Sequence, residues 1–124
     1  MKDFRDLRVW EKSHKLTLEI YAATATFPRS ELYALTSQNR RCSASIGANI
    51  AEGCGKRGNN EFQRYLQIAS GSGSELDYHL LLSRDLSFLP DPRYCELAKN
   101  LTEVRKMLTS LLQKVKTDRL MAKC

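Results

Sequence analysis

The sequence predicts an all-α protein, an antiparallel up-down-up-down four-helix bundle. Three observations carry that expectation. Apolar side chains recur at steps of three and four over four long stretches. Short turn-forming segments separate these stretches, at Phe27-Pro28, at residues 53–60 and at Pro90-Asp91-Pro92. No run alternates with the period of two that a strand requires, and no repeat recurs at the spacing of a solenoid.

The first helix begins near Leu7, after a short polar lead-in, with Val9, Trp10, Ser13, Leu16, Ile20, Tyr21, Thr24 and Phe27 on one side. Trp10 and Tyr21 read as core residues. Pro28 ends the helix, because the residue before proline avoids the α region. Ser30 is placed to cap a second helix that runs to about Glu52, with Glu31 favourable in its first turn. This helix is the centre of the chain. Leu32, Leu35, Cys42, Ile46 and Ile50 form an apolar stripe, and Gln38, Arg41, Ser45, Asn49 and Glu52 form a polar one. Surface helices usually fill the solvent side with Lys and Glu. Residues that make directional hydrogen bonds suggest contacts on both sides. Gly53 then stops the helix as a C′ residue.

A basic, glycine-rich loop, Gly53-Cys54-Gly55-Lys56-Arg57-Gly58-Asn59-Asn60, leads to the third helix. Asn60 suits its cap, with Gln63 three residues on. Phe62, Leu66, Ala69, Gly73, Leu76, Leu80 and Ser83 share one face. The segment Ala69-Ser70-Gly71-Ser72-Gly73-Ser74 looks like a linker in isolation. The apolar period continues in phase on both sides, so it reads as helix at a close approach between neighbours. Asp91 and Pro92 suit the cap and first position of the fourth helix, which carries Leu97, Leu101, Val104, Leu108, Leu111 or Leu112, and Val115. Residues 116–124 form a basic tail expected to fray.

The chain has 124 residues, which suggests one domain over 1–124. Hydrophobic residues make up 42% and charged residues 27%, values of a soluble globular protein rather than a membrane or disordered one. No apolar run is long enough to cross a bilayer, and the start lacks the apolar region of a secretory signal. The four cysteines, Cys42, Cys54, Cys95 and Cys124, are widely spaced, so reduced thiols in the cytoplasm are expected.

Chemistry is sparse. The glycine-rich loop lacks the P-loop pattern and follows a helix rather than a strand. His14 and His79 are the two histidines. Glu75 and His79 lie four apart, which is not the Glu-x-x-His of a di-iron bundle, and no second copy exists. No catalytic residue, metal or cofactor is expected. The net charge of +6 favours a polyanionic partner. Arg40, Lys56, Arg57 and Arg64 are the candidates to contact phosphates. Arg41, Ser45, Asn49, Glu52 and Glu75 are the candidates for a structural or interface network, with Arg41 pairing Glu52 or Glu75.

Several segments resemble a known family. They are Phe4-Arg5-Asp6-Leu7-Arg8-Val9-Trp10, Ile20-Tyr21 through Phe27-Pro28, Glu31-Leu32-Tyr33-Ala34-Leu35 and Gln38-Asn39-Arg40-Arg41. To these are added Ser45-Ile46-Gly47-Ala48-Asn49-Ile50-Ala51-Glu52-Gly53, Phe62-Gln63-Arg64-Tyr65-Leu66, Ile68-Ala69-Ser70-Gly71-Ser72 and Glu75. The chain resembles the four-helix-bundle proteins encoded in intervening sequences of bacterial 23S ribosomal RNA genes, once mislabelled as an S23-type ribosomal protein. Ala34 stands where that pattern has glycine, and Cys54 where it has a variable small residue. The resemblance implies a homopentamer. It also implies a likeness in fold to the accessory variability protein of diversity-generating retroelements, which binds nucleic acid and partners a reverse transcriptase. The expected function is a non-enzymatic oligomer that binds nucleic acid, RNA rather than DNA, and serves as accessory subunit of a reverse transcriptase. The rival expectation is a protein-interaction scaffold without nucleic-acid contact.

Overall fold

Leu7, in extended conformation, stands at the entry to the first helix, α1 (Arg8–Thr24). Before it, Asp3 caps a single 3₁₀ turn, Phe4–Asp6, by accepting a hydrogen bond from the Arg5 amide at 2.9 Å. The lead-in is therefore structured, and Phe4 packs edge-on to Trp10 with ring centres 4.9 Å apart. The computed structural model describes residues 3–123, with side chains of the last helix described as far as residue 118. The remaining helices are α2 (Ser37–Cys54), α3 (Asn59–Asp85) and α4 (Asp91–Lys123). Helix α4 takes in residues 116–123, the stretch expected to fray, and Cys124 lies outside the described residues.

Each helix packs on the next, and α4 returns to α1, which closes an all-α antiparallel four-helix bundle. One core fills its centre. Leu16, Ile20, Ile46, Ile50, Leu66, Leu76, Leu80, Leu97, Leu101, Val104 and Leu108 are all almost fully buried. Each such aliphatic side chain contributes roughly 1.5–3 kcal/mol by leaving water. The seven residues assigned to one face of α3 are the seven that α3 buries. The Ala69–Ser74 segment is helix. Gly73 lies against the Arg105 stem, where an added Cβ would meet Cγ at 3.3 Å. Gly71 faces open space, so the close approach holds for one glycine of the pair.

Several boundaries differ from expectation. The second helix is not one piece from Ser30. A 3₁₀ turn (Arg29–Glu31) and a π turn (Leu32–Thr36) precede α2, and inside the π turn Ala34 takes the non-helical φ −118°, ψ −108°. Ala34 is the position where the resembling pattern has glycine. Glu31, not Ser30, supplies the capping oxygen, to the Leu35 amide. The offset turns Leu32 outward, 48% exposed, and leaves Tyr33 92% exposed. Tyr21 is also 46% exposed rather than core.

Gly53 does not stop α2. It is buried inside the last turn, and an added Cβ would lie 3.0 Å from Phe62 Cδ1 and from Tyr65 Cβ. The glycine is there because α3 crosses at that point. The left-handed residue of the connection is Gly58 at φ +82°, and it, not Asn60, is the N-cap of α3. Asp91 and Pro92 each sit one position further into α4 than expected, since the Tyr94 amide already bonds the Pro90 carbonyl at 2.8 Å. Helix α3 ends in a Schellman turn. Ser87 takes φ 66°, its amide bonds the Arg84 carbonyl at 2.9 Å, and the Phe88 amide bonds the Ser83 carbonyl at 2.9 Å.

Candidate functional site

Two places on this frame hold the residues singled out above. The first is the connection between α2 and α3. Helix α2 buries Ile50, Gly53 and Cys54 against α3, so its polar end must project the next residues into solvent. Lys56 and Arg57 are exposed there. Arg64 follows on the first turns of α3, also exposed, 3.9 Å from Glu61. Lys56 Nζ lies 5.6 Å, and Arg64 Cζ 5.5 Å, from the centre of the Tyr65 ring. Three cations and one aromatic ring thus share one end of the bundle.

Arg40 is not with them. It lies 14 residues before Cys54, the last residue of α2, about 21 Å along the helix axis at 1.5 Å per residue. Its guanidinium stacks on Tyr21, 4.6 Å from the ring centre. Its Nε donates to Thr24 Oγ1 at 2.9 Å and its Nη2 to the Tyr21 carbonyl at 3.4 Å. Arg40 ties α2 to α1, and Tyr21 is held by an arginine rather than by the core.

The second place is the seam where α2 lies on α3. Asn49 Nδ2 donates to the Ser45 carbonyl at 2.8 Å and to Ser45 Oγ at 3.0 Å. Ser45 and Ser72 share a hydroxyl hydrogen bond of 2.8 Å across the seam. One turn on, the Cys42 thiol donates to Glu75 Oε2 at 2.9 Å, and His79 Nε2 lies 3.4 Å from the same oxygen. At the far end the buried Asn39 donates to Ser83 Oγ at 3.0 Å and to the Leu35 carbonyl at 2.9 Å. Arg41 and Glu52 are exposed, and among the described residues Arg41 forms no ion pair within 4.0 Å. Its charge still reaches both Cys42 and Glu75. Burial pushes the Cys42 thiol up to about 12, the Glu75 hydrogen bond and charge add to this, and Arg41 opposes it. Glu75 is held below the usual carboxylate range, first by the Cys42 hydrogen bond, then by that of His79, with the charges of His79 and Arg41 assisting.

Cys42 is the site residue that sequence reasoning missed, and His79 stood out in sequence only as a neighbour of Glu75. Cys42 reads as apolar stripe, and the Glu75/His79 pair has no third partner in its own helix. The register of α2 on α3 supplies that partner. A thiol so firmly protonated is a poor nucleophile, so the Cys42–His79 proximity does not amount to an activated cysteine.

Helix ends, seam and basic connection together define a four-helix bundle held by hydrogen bonds between its helices, with a basic surface at one end. The chain belongs to the 23S rRNA-intervening sequence protein family, whose pattern matches residues 5–110. It is similar to a crystal structure of a protein of unknown function from the S23 ribosomal protein family of Bacteroides thetaiotaomicron VPI-5482. Identity is 26% and the TM-score 0.76, over 84% of this chain and 97% of that one. No curated protein matches the chain. No helix among the described residues is long and apolar enough to cross a membrane.

Proposed function

We propose that this protein is a non-enzymatic, self-associating bundle that binds nucleic acid, structured RNA before DNA, through the α2–α3 connection. The observation that carries the reading is the exposed cation set Lys56, Arg57 and Arg64 around Tyr65. Cations on a glycine-bounded turn reach phosphates without steric obstruction, and phosphate contacts supply affinity without reading sequence. The chain's excess of positive charge acts in the same direction at longer range. The thiols of Cys42 and Cys95 suit a reducing, cytoplasmic setting.

The test is fluorescence anisotropy of labelled hairpin RNA and duplex DNA at several salt concentrations. Affinity should fall steeply with salt, with a slope of about −0.9 per duplex phosphate contact. Changing Lys56 and Arg57 to Glu should abolish binding and leave helicity and assembly state unchanged. Absence of binding to either nucleic acid at low salt refutes the proposal.

A second reading, a protein-docking scaffold, is favoured by a separate observation. Tyr33 is 92% exposed, beside Leu32 and Tyr21. Large apolar side chains in such positions are covered in stable assemblies. Self-association is part of the main proposal, with a pentamer as the count the family resemblance implies, and analytical ultracentrifugation reads it directly. A reverse transcriptase as partner rests on resemblance alone. Co-purification of such an enzyme that survives nuclease treatment supports that partner, and release by nuclease leaves RNA as the bridge.

A further inference from the structure

We propose that Cys42, Glu75 and His79 form a binding site for one divalent transition-metal ion, of which zinc is the best fit, at the α2–α3 seam. The three side chains offer a sulfur, a carboxylate oxygen and an imidazole nitrogen, and these atoms all lie within 4.8 Å of one another. That mixture of ligand types suits zinc over the harder magnesium and calcium. Tetrahedral zinc with its usual bond lengths places ligand atoms about 3.3–3.6 Å apart. Glu75 Oε2 and His79 Nε2 are already 3.4 Å apart. The Cys42–Glu75 hydrogen bond, at 2.9 Å, must open by about 0.6 Å to admit the ion. Glu75 has room to make that movement, because its side chain is 57% exposed, whereas that of His79 is 16% exposed.

The frame is set before the ion arrives. The Ser45–Ser72 bond fixes the seam one turn to one side of the cluster, and the Asn39–Ser83 bond fixes it one turn to the other. Glu75 and His79 lie four apart on α3, so one face of that helix presents both. A groove lined by Gln38, Arg41, Cys42, Ser45, Ser72 and Glu75 opens the cluster to solvent and gives an ion its entry. Binding forms bonds from the metal to sulfur, oxygen and nitrogen, releases the thiol proton to solvent, and leaves a fourth position for water. Two features hold the affinity down. Arg41 places a like charge beside the ion, and His79 Nδ1 is buried with no partner to orient the ring.

The experiment is a cobalt(II) titration of the full-length protein under reducing conditions, followed by displacement with zinc. One equivalent per chain should give thiolate-to-cobalt charge-transfer absorption and the intense d–d bands of four-coordinate cobalt. Cys42→Ser should lose the charge-transfer band. His79→Gln, at a partly exposed position that leaves the core intact, should weaken binding by more than the roughly 10–100-fold cost of losing an outer-shell partner. Arg41→Gln should tighten it, an effect that a merely structural cluster would not show. Circular dichroism confirms that each variant is folded. Failure to bind one equivalent, a charge-transfer band that persists in C42S, or one that disappears in Cys95→Ser overturns the proposal. The outcome is independent of nucleic-acid binding at Lys56 and Arg57.

Discussion

One substitution, glycine to alanine, should have opposite signs at two positions of this bundle. In a helix interior alanine is favoured over glycine by about 1 kcal/mol, through backbone entropy alone. Gly71 lies in α3 with no atom within 4 Å of an added Cβ. Gly71→Ala should therefore stabilise the protein by close to that full amount. Gly53 lies in the last turn of α2, where the same Cβ would come within 3.0 Å of two atoms. One belongs to the buried Phe62 ring, and the other is the Tyr65 Cβ, which moves only if α3 moves. Overpacking of this kind costs about 1–3 kcal/mol. After the helix gain is subtracted, Gly53→Ala should destabilise by up to about 2 kcal/mol. The two variants should differ in melting temperature by roughly 5–10 °C for a chain of this length. Urea denaturation followed by circular dichroism at 222 nm reads both free energies. A G53A protein more stable than the parent would show that α3 does not cross α2 at this glycine.

Other predictions follow from single features. Ser87 is the positive-φ residue outside glycine among the described residues, so Ser87→Gly should stabilise by about 0.5–1 kcal/mol in the same urea assay. The Cys42 thiol deprotonates at about 12 in the folded chain against 9.0 for an ordinary cysteine. The raised value means that its stabilising effect is complete below pH 9.0 and is lost as pH rises toward 12. Cys42→Ser should flatten the alkaline limb of a stability–pH profile, and an unchanged limb would refute the assignment. Glu75 has the reverse sign: its effect is present above the ordinary value of 4.5 and is lost as pH falls below it, so Glu75→Gln should flatten the acid limb. Arg40→Ala should cost about 1 kcal/mol through its lost bond to Thr24 and its stacking on Tyr21, while RNA affinity changes little. If R40A instead abolishes RNA binding at unchanged stability, Arg40 is a ligand contact and its tie to α1 is incidental.

The helices were legible because apolar spacing is a property of one segment at a time. Phe62, Leu66, Ala69, Gly73, Leu76, Leu80 and Ser83 could be assigned to one face of α3 without knowing what covers them. The break before α2 was not legible, since residues 29–36 contain neither proline nor glycine and keep a helical apolar spacing. Gly53 was misread for a related reason. A glycine near a helix end looks the same in sequence whether it turns the chain or admits a neighbour, and only the position of Phe62 and Tyr65 decides between them. Asn39 and Ser83 gave no signal that they would be buried together, because a polar pair that satisfies itself across two helices leaves no local pattern.

The same reasoning separates the candidate cations by where the structure places them. The exposure of Lys56 and Arg57 could be read from the sequence because a glycine-bounded turn projects into solvent. Arg40 and Arg41 stand next to each other in sequence, yet the helix rotates them by about 100°. Arg40 is thereby turned onto α1, and Arg41 toward the groove above Cys42 and Glu75. Adjacent arginines read as one basic patch in sequence. On this helix one of them ties two helices together and the other biases the ionisation of the α2–α3 seam. Charge count locates a basic surface only where the backbone leaves its cations uncommitted. In this chain Lys56 and Arg57 meet that condition, and Arg64 beside them is exposed with only a long 3.9 Å approach to Glu61, which is why the nucleic-acid proposal rests on these three and not on Arg40.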